Sequence, residues 1–256
     1  MTTIKVSDEQ ELINKLASYI EKISNNSIHN RGKFYIGLSG GSVVKYLSNC
    51  LPKVDTEWSE WVLAFCDERV VPEDSEDSTF GTYKYEMCIT LAPVLQIQSE
   101  VSAEITPPSD AAAKDYTDKL TKAFGSNDFK FDLLLLGMGP DGHTCSLFPA
   151  HPLLEEASLQ VAPITDSPKP PPQRITLTYP VINKARNCIF AVSGAGKADM
   201  VKVSLLLYLT IDIIKSCFDR PHRKICYVCE SLFAVKDALG TSTYTEQADQ
   251  AIELEV

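Results

Sequence analysis

Phe131-Asp-Leu-Leu-Leu-Leu-Gly-Met-Gly-Pro-Asp-Gly-His143-Thr-Cys-Ser-Leu-Phe-Pro149 is an apolar run that breaks into a polar, glycine-punctuated turn. Phe131 to Leu136 is too short for a free-standing helix and reads as a strand buried on both faces. Gly137, Gly139 and Gly142 then open backbone conformations closed to other residues, and Pro140 ends any ladder. Asp141 and His143 are therefore expected at the carboxyl end of a central strand, where open α/β sheets place their ligands. An imidazole beside a carboxylate on a rigid turn suits proton abstraction from water near neutral pH. A loop histidine without chemistry is the plainer reading of the same residues. Gly137-x-Gly139-x-x-Gly142 also matches the dinucleotide fingerprint, but Pro149 and Pro152 leave room for little more than one helical turn where that fingerprint needs a helix to begin.

Outward from this stretch, strand and helix signals alternate. Toward the N-terminus, Ser7-Asp-Glu-Gln10 fits a capping box, and Leu12, Ile13, Leu16, Ile20 and Ile23 recur at helical spacing, with Asn25-Asn-Ser expected to end that helix. Lys33 to Leu38 reads as a strand running into Ser39-Gly40-Gly41-Ser42 and a helix through Val43, Val44 and Leu47 to Leu51. Strand, glycine turn and helix N-terminus together present free N–H groups to an anion. Trp61 to Cys66 is a second buried strand, and Asp67-Glu68-Arg69 at its end is either a solvated turn or a charged edge facing His143. Tyr83 to Leu91 suggests a short helix, and Ala112, Ala113, Tyr116, Leu120 and Phe124 mark a longer one. Toward the C-terminus, Ser167-Pro-Lys-Pro-Pro-Pro-Gln-Arg174 is expected to be extended and to deliver Arg174 to a strand at Ile175 to Tyr179. Cys188 to Ser193 is a further strand, closing in Gly194-Ala-Gly196-Lys197, a glycine turn with a cation at the opening of a helix.

These elements predict a three-layer α/β fold with a mainly parallel open sheet, in one domain over 1–256, since no linker marks a boundary. A net charge of −10 argues against nucleic acid or an anionic membrane as partner, yet leaves room for a small anion, because exposed charges are screened beyond ~8 Å. The eight cysteines have no framework spacing and read as reduced core residues of an intracellular protein, and Cys226-x-x-Cys229 fits a strand better than a metal or redox site. The most hydrophobic stretch, Met200 to Ile214, carries Lys202 and Asp212 and is too short to span a bilayer.

Taken together, Gly37-Leu-Ser-Gly-Gly-Ser42, Phe65-Cys-Asp-Glu-Arg69 with Val71-Pro72, Gly139 to Pro149, Pro172-Gln-Arg-Ile-Thr-Leu-Thr178 and Gly194-x-Gly-Lys-Ala198 resemble the 6-phosphogluconolactonase family over roughly Ser7 to Val201. The related glucosamine-6-phosphate isomerases fit less well, because Ser146-Leu-Phe-Pro149 replaces their Phe-Asn-Glu-Pro-like segment. The resemblance implies an isomerase/transferase-like, Rossmann-like architecture. It also implies cofactor-free, metal-free hydrolysis of a phosphorylated sugar lactone by a cytoplasmic enzyme, expected to be a monomer. Carried over residue by residue, it makes His143 the base with Asp141 beside it. Arg69 would contact substrate, Asp67 would orient it, Gly40, Gly41 and Ser42 would offer N–H groups, Lys197 would bind phosphate, and Arg174 would be a further anion contact.

The departure lies after Lys202, where residues 203–223 stand in place of the family's leucine-proline-alanine segment. Two other readings follow from the chain itself. A sugar-phosphate-binding protein could retain the pocket without turnover. A Ser39-dependent esterase is suggested by Gly37-Leu-Ser39-Gly-Gly41, which matches the nucleophile-elbow pattern and precedes Asp67 and His143 in triad order.

Overall fold

The computed structural model describes residues 2–88, 109–198, 200 and 224–229. Six strands, β1 (Thr2–Lys5), β2 (Phe34–Leu38), β3 (Trp61–Phe65), β5 (Leu133–Leu136), β8 (Asn187–Val192) and β9 (Lys224–Cys229), form a parallel sheet in the order β1-β9-β8-β5-β2-β3. Residues 203–223, where the departure from the family pattern lies, are outside the described residues.

The leucine run behaves as its composition dictates. Leu133 and Leu135 pack on one face with α1 (Glu9–Arg31) and α2 (Ser42–Cys50), while Leu134 and Leu136 pack on the other with α4 (Ser109–Phe124). All four are fully buried, each contributing about 1.5–3 kcal/mol of transfer free energy. The third layer is mixed. Beside α4 lies a second, antiparallel sheet of β4 (Asp67–Arg69), β7 (Arg174–Leu177) and β6 (Val161–Ile164). Asp67-Glu68-Arg69 is thus not a solvated turn but a short strand leaving the sheet edge that carries His143. Between β3 and β4 stands the single residue Cys66, whose N–H donates to Leu38 in the first sheet (2.8 Å) and whose carbonyl accepts from Leu177 in the second (2.8 Å).

Local sequence explains most boundaries. Asp8 caps α1 by accepting from the Glu11 N–H at 2.8 Å, and Glu11 reaches back to the Ser7 N–H at 2.7 Å, a box shifted one residue from the expected start. The helix does not stop at Asn25-Asn-Ser. Asn25 donates to the Asp55 carbonyl, Ser27 accepts from Arg31, and the helix ends only where Gly32 takes a left-handed φ of 76°. Tertiary partners override the weak local stop. Helix α3 (Thr79–Cys88) begins four residues before the expected Tyr83, because both oxygens of buried Glu68 accept from its first N–H groups, Thr79 at 2.8 Å and Phe80 at 2.6 Å. Burial pushes the Glu68 carboxyl up, against the pull of these bonds.

At the amino edge of the sheet, Asp132 is buried and stapled from three sides. Its Oδ1 accepts from Arg31 at 2.7 Å and Arg186 at 3.1 Å, and its Oδ2 from the Tyr35 N–H at 2.9 Å. Cys50, Cys66, Cys145 and Cys188 are free and buried, as expected of core thiols. Burial pushes the Cys50 thiol up to about 12, which leaves it unreactive. No helix among the described residues is long and apolar enough to cross a membrane.

Candidate active site

Strand β2 sends the chain outward to β3, whereas β5 returns on its other side. This is the switch point at which a crevice opens beyond the carboxyl ends of the strands. The turns after β2 and β5 both lie there, joined by the Ser39 N–H donating to the Leu135 carbonyl at 3.1 Å. β4 leaves the same edge after β3, and the Lys197 turn follows β8, whose Phe190 pairs with Leu136.

The turn after β5 is built to hold one side-chain pair. The Gly139 N–H donates to the His143 carbonyl (2.8 Å), the Gly142 N–H to Gly139 (3.0 Å), and Thr144 Oγ1 to Gly137 (2.9 Å). Gly142 takes a φ of 86°, a region that costs other residues energy. His143 Nδ1 lies 2.5 Å from Asp141 Oδ1, and its ring stacks on Phe148 with centroids 4.7 Å apart. Nδ1 must carry the proton, because two acceptors cannot face one another so closely, and Nε2 is left with a free lone pair. Burial lowers His143 from its ordinary value more than Asp141 raises it, so the ring is neutral at pH 7. Burial also works against the Asp141 charge, but hydrogen bonds from His143 and Lys169 outweigh it and lower the carboxyl to about 2. The site therefore holds a fixed carboxylate behind a neutral imidazole. Its side chain retains 18% exposure, in contact with solvent rather than sealed in the core.

A Cβ on Gly139 would overlap the His143 ring and Asp141 Oδ1. Gly139→Ala is therefore expected to displace the pair and to lower kcat by at least about 10²-fold, the cost of misplacing a catalytic group by an ångström. Circular dichroism and Tm near the parent's would assign that loss to the site rather than to folding.

The remaining expected residues divide by role. Asp67 is buried and accepts from Ser146 Oγ at 2.7 Å, fixing the segment just after His143. Arg69 donates from Nη1 to the Asp77 carbonyl at 2.8 Å, and its buried Nε has no partner among the described residues. Gly41, at φ 69°, precedes α2, and no side chain caps that helix, so the first-turn N–H groups around Gly40, Gly41 and Ser42 are available to an anion. Lys197 closes a 3-10 turn, Ala195–Lys197, and Tyr46 of α2 hydrogen-bonds Ser193 just before it.

Arg174 is the exception. The 167–172 segment is not extended but closes on itself, the Ser167 N–H donating to Pro172 at 3.2 Å, and its Pro170–Pro171 peptide bond is cis. Buried Arg174 fills this loop, donating to the carbonyls of Pro171 (3.0 Å), Lys169 (3.0 Å) and Pro170 (3.1 Å), with Nη1 3.4 Å from Ser146 Oγ. These bonds direct most of its donors to the protein's own carbonyls and hold the loop closed. That loop brings in Lys169, whose Nζ lies 3.0 Å from Asp141 Oδ1. Sequence reasoning passed over Lys169. Its one signal was a lone cation inside a proline run, where neighbouring residues have little freedom to move it.

The triad order does not become a triad. Ser39 Oγ is buried without a partner among the described residues, His143 pairs with Asp141, and Asp67 with Ser146. Among the described residues no group of three or more His, Cys, Asp and Glu side chains is placed to hold a metal ion.

Comparisons with known proteins bear on the family and the fold. The family described as glucosamine-6-phosphate isomerases/6-phosphogluconolactonase matches residues 7–206. A probable 6-phosphogluconolactonase of Drosophila melanogaster is 46% identical over 203 residues, 79% of this chain and 82% of that one. The 6-phosphogluconolactonase of Rattus norvegicus is 47% identical over 203 residues, 77% of this chain and 78% of the relative. Among solved structures, the 6-phosphogluconolactonase of Thermotoga maritima superposes with a TM-score of 0.73 at 22% identity, covering 89% of this chain and 99% of that one. That likeness concerns the fold.

Proposed function

Because the chain belongs to the glucosamine-6-phosphate isomerase/6-phosphogluconolactonase family, we propose that it hydrolyses 6-phosphogluconolactone to 6-phosphogluconate, with His143 as the base that activates water. The observation that carries the mechanism is the 2.5 Å contact between His143 Nδ1 and Asp141 Oδ1, which leaves Nε2 to receive a proton. Water adds its oxygen to the lactone carbonyl carbon while one of its protons passes to Nε2. The carbonyl becomes an oxyanion, and when it collapses the ring C–O bond breaks. The imidazolium returns its proton to the departing ring oxygen, which leaves as a hydroxyl, and the new carboxylic acid ionises in solution. Asp141 stabilises the transient imidazolium without taking up the proton itself.

A lactone is already strained toward opening, so positioning, proton transfer and oxyanion stabilisation suffice. General-base help is typically worth 10²–10⁴-fold, and one well-aimed oxyanion donor about 2.7–4 kcal/mol. The phosphate is assigned to the α2 N-terminus at Gly40, Gly41 and Ser42, to Lys197 and to Arg69, whose Nε has no partner among the described residues. Charge-assisted bonds of this kind contribute roughly 1.5–3 kcal/mol each. Buried free thiols support a cytoplasmic enzyme, and a monomer is the assembly we assign.

The test is a lactonase assay on the purified chain, corrected for spontaneous ring opening. Clear acceleration is expected, and Ser39→Ala should retain it within about threefold, since among the described residues no base is placed to activate that hydroxyl. Stabilisation by 6-phosphogluconate without acceleration would instead make the chain a binding protein. Loss of activity in Ser39→Ala together with labelling of Ser39 by a phosphonate would move the nucleophile there.

A further inference from the structure

Lys169 takes no part in the mechanism so far, yet it touches both members of the reacting pair. Its Nζ lies 3.0 Å from Asp141 Oδ1 and 3.2 Å from His143 Nδ1, so one carboxylate oxygen accepts from imidazole and ammonium together. The backbone that carries it is held in place. The Lys169 carbonyl accepts from Arg174 Nη2 at 3.0 Å and from Ser167 Oγ at 2.8 Å, and its N–H donates to Ser167 Oγ at 3.3 Å. The ammonium approaches the Nδ1 side of the ring, across from Nε2, which places it behind the base and not against the reacting ester.

We propose that Lys169 is a positioning residue for the lactonase chemistry: it clamps Asp141 onto His143 Nδ1 and opposes the second positive charge that forms when the imidazole takes the proton of water. This rests on the reading of His143 as base. Among the described residues, Asp141 on its own turn and Asp67 on β4 favour the imidazolium, Lys169 disfavours it, and Arg174 of β7 lies over the far partner of the ring, 5.7 Å from the Phe148 centroid. Two carboxylates alone would give an imidazole that accepts the proton readily and releases it poorly. Hydrolysis needs both steps, because the same proton must go back to the departing ring oxygen. Burial is the larger influence holding the resting ring neutral, and Lys169 adds to it as a counterweight to the carboxylates, leaving the imidazolium ready to discharge.

The test follows the His143 ring by NMR titration in the parent, Lys169→Met and Lys169→Arg, alongside kcat/KM against pH. Removing a positive charge favours the imidazolium, so the His143 midpoint is expected to rise by about one pH unit in Lys169→Met. The acid limb of kcat/KM moves up with it, and Lys169→Arg restores both. At a half-exposed position, both variants should keep the parent's Tm. An unchanged or lowered midpoint in Lys169→Met overturns the proposal. So does a raised KM with the acid limb unmoved, which would make Lys169 a substrate contact. The ring titration needs no turnover, so it reads Lys169 even if His143→Ala proves active and the assignment of the base fails.

Discussion

His143→Ala is expected to lower kcat by about 10²–10⁴-fold, the range associated with a positioned general base, while the affinity for 6-phosphogluconate stays within a few-fold of the parent's. The asymmetry follows from where the groups lie. His143 and Asp141 stand on the turn after β5, whereas the residues assigned to phosphate come from the α2 N-terminus, β4 and the turn after β8. Losing the imidazole removes an interaction made only as the water loses its proton and leaves the anchoring groups in place, which is the signature of a transition-state contact. The residual rate should also lose its acid limb, which in the parent lies below the ordinary histidine range because burial lowers His143, since no neutral imidazole remains to be protonated. Single-turnover kinetics with calorimetry of product binding would check this. A variant that keeps more than a tenth of parental kcat, or that loses product affinity in proportion, would remove His143 from the role of base.

Asp132→Ala is expected to cost about 3 kcal/mol of stability with kcat nearly unchanged. Breaking a buried charge pair typically costs 3–5 kcal/mol. The lower end applies because the Arg31 and Arg186 side chains are 33% and 37% exposed and can turn to water. The Tyr35 N–H has no such escape and loses its acceptor inside the protein. Urea unfolding with an unchanged m-value would report the loss, and a change below about 1 kcal/mol would mean that the staple contributes little. Asp132 lies at the opposite end of the same four-leucine strand from His143, so the two substitutions separate folding from chemistry within one strand.

How far these features could be read in advance depended on how local their causes are. The run Leu133 to Leu136 announced a strand buried on both faces because each residue alone is apolar, and its glycine turn announced the placement of Asp141 and His143. Asp132 sat in plain view immediately before that run, and a lone carboxylate beside a buried strand has to be paired. The partners Arg31 and Arg186 are 101 residues before it and 54 after it, at distances no periodicity reports. Asp67-Glu68-Arg69 has no strand pattern of its own and becomes one only by pairing with β7. The proline segment was expected to be straight from its backbone preferences, but Arg174 gathers three of its carbonyls onto one guanidinium and bends it into a loop. With that loop came Lys169, invisible to a reading that treated the segment as a rod.

The single-residue link at Cys66, tied by its N–H to one sheet and by its carbonyl to the other, fixes the two sheets against each other beside the site. A rigid mould of this kind favours guests that arrive already shaped. The closed sugar ring has few torsions to surrender on entry, whereas the opened chain must freeze every bond that hydrolysis has set free. The same stiffness that aligns the reacting atoms therefore helps to expel what they produce.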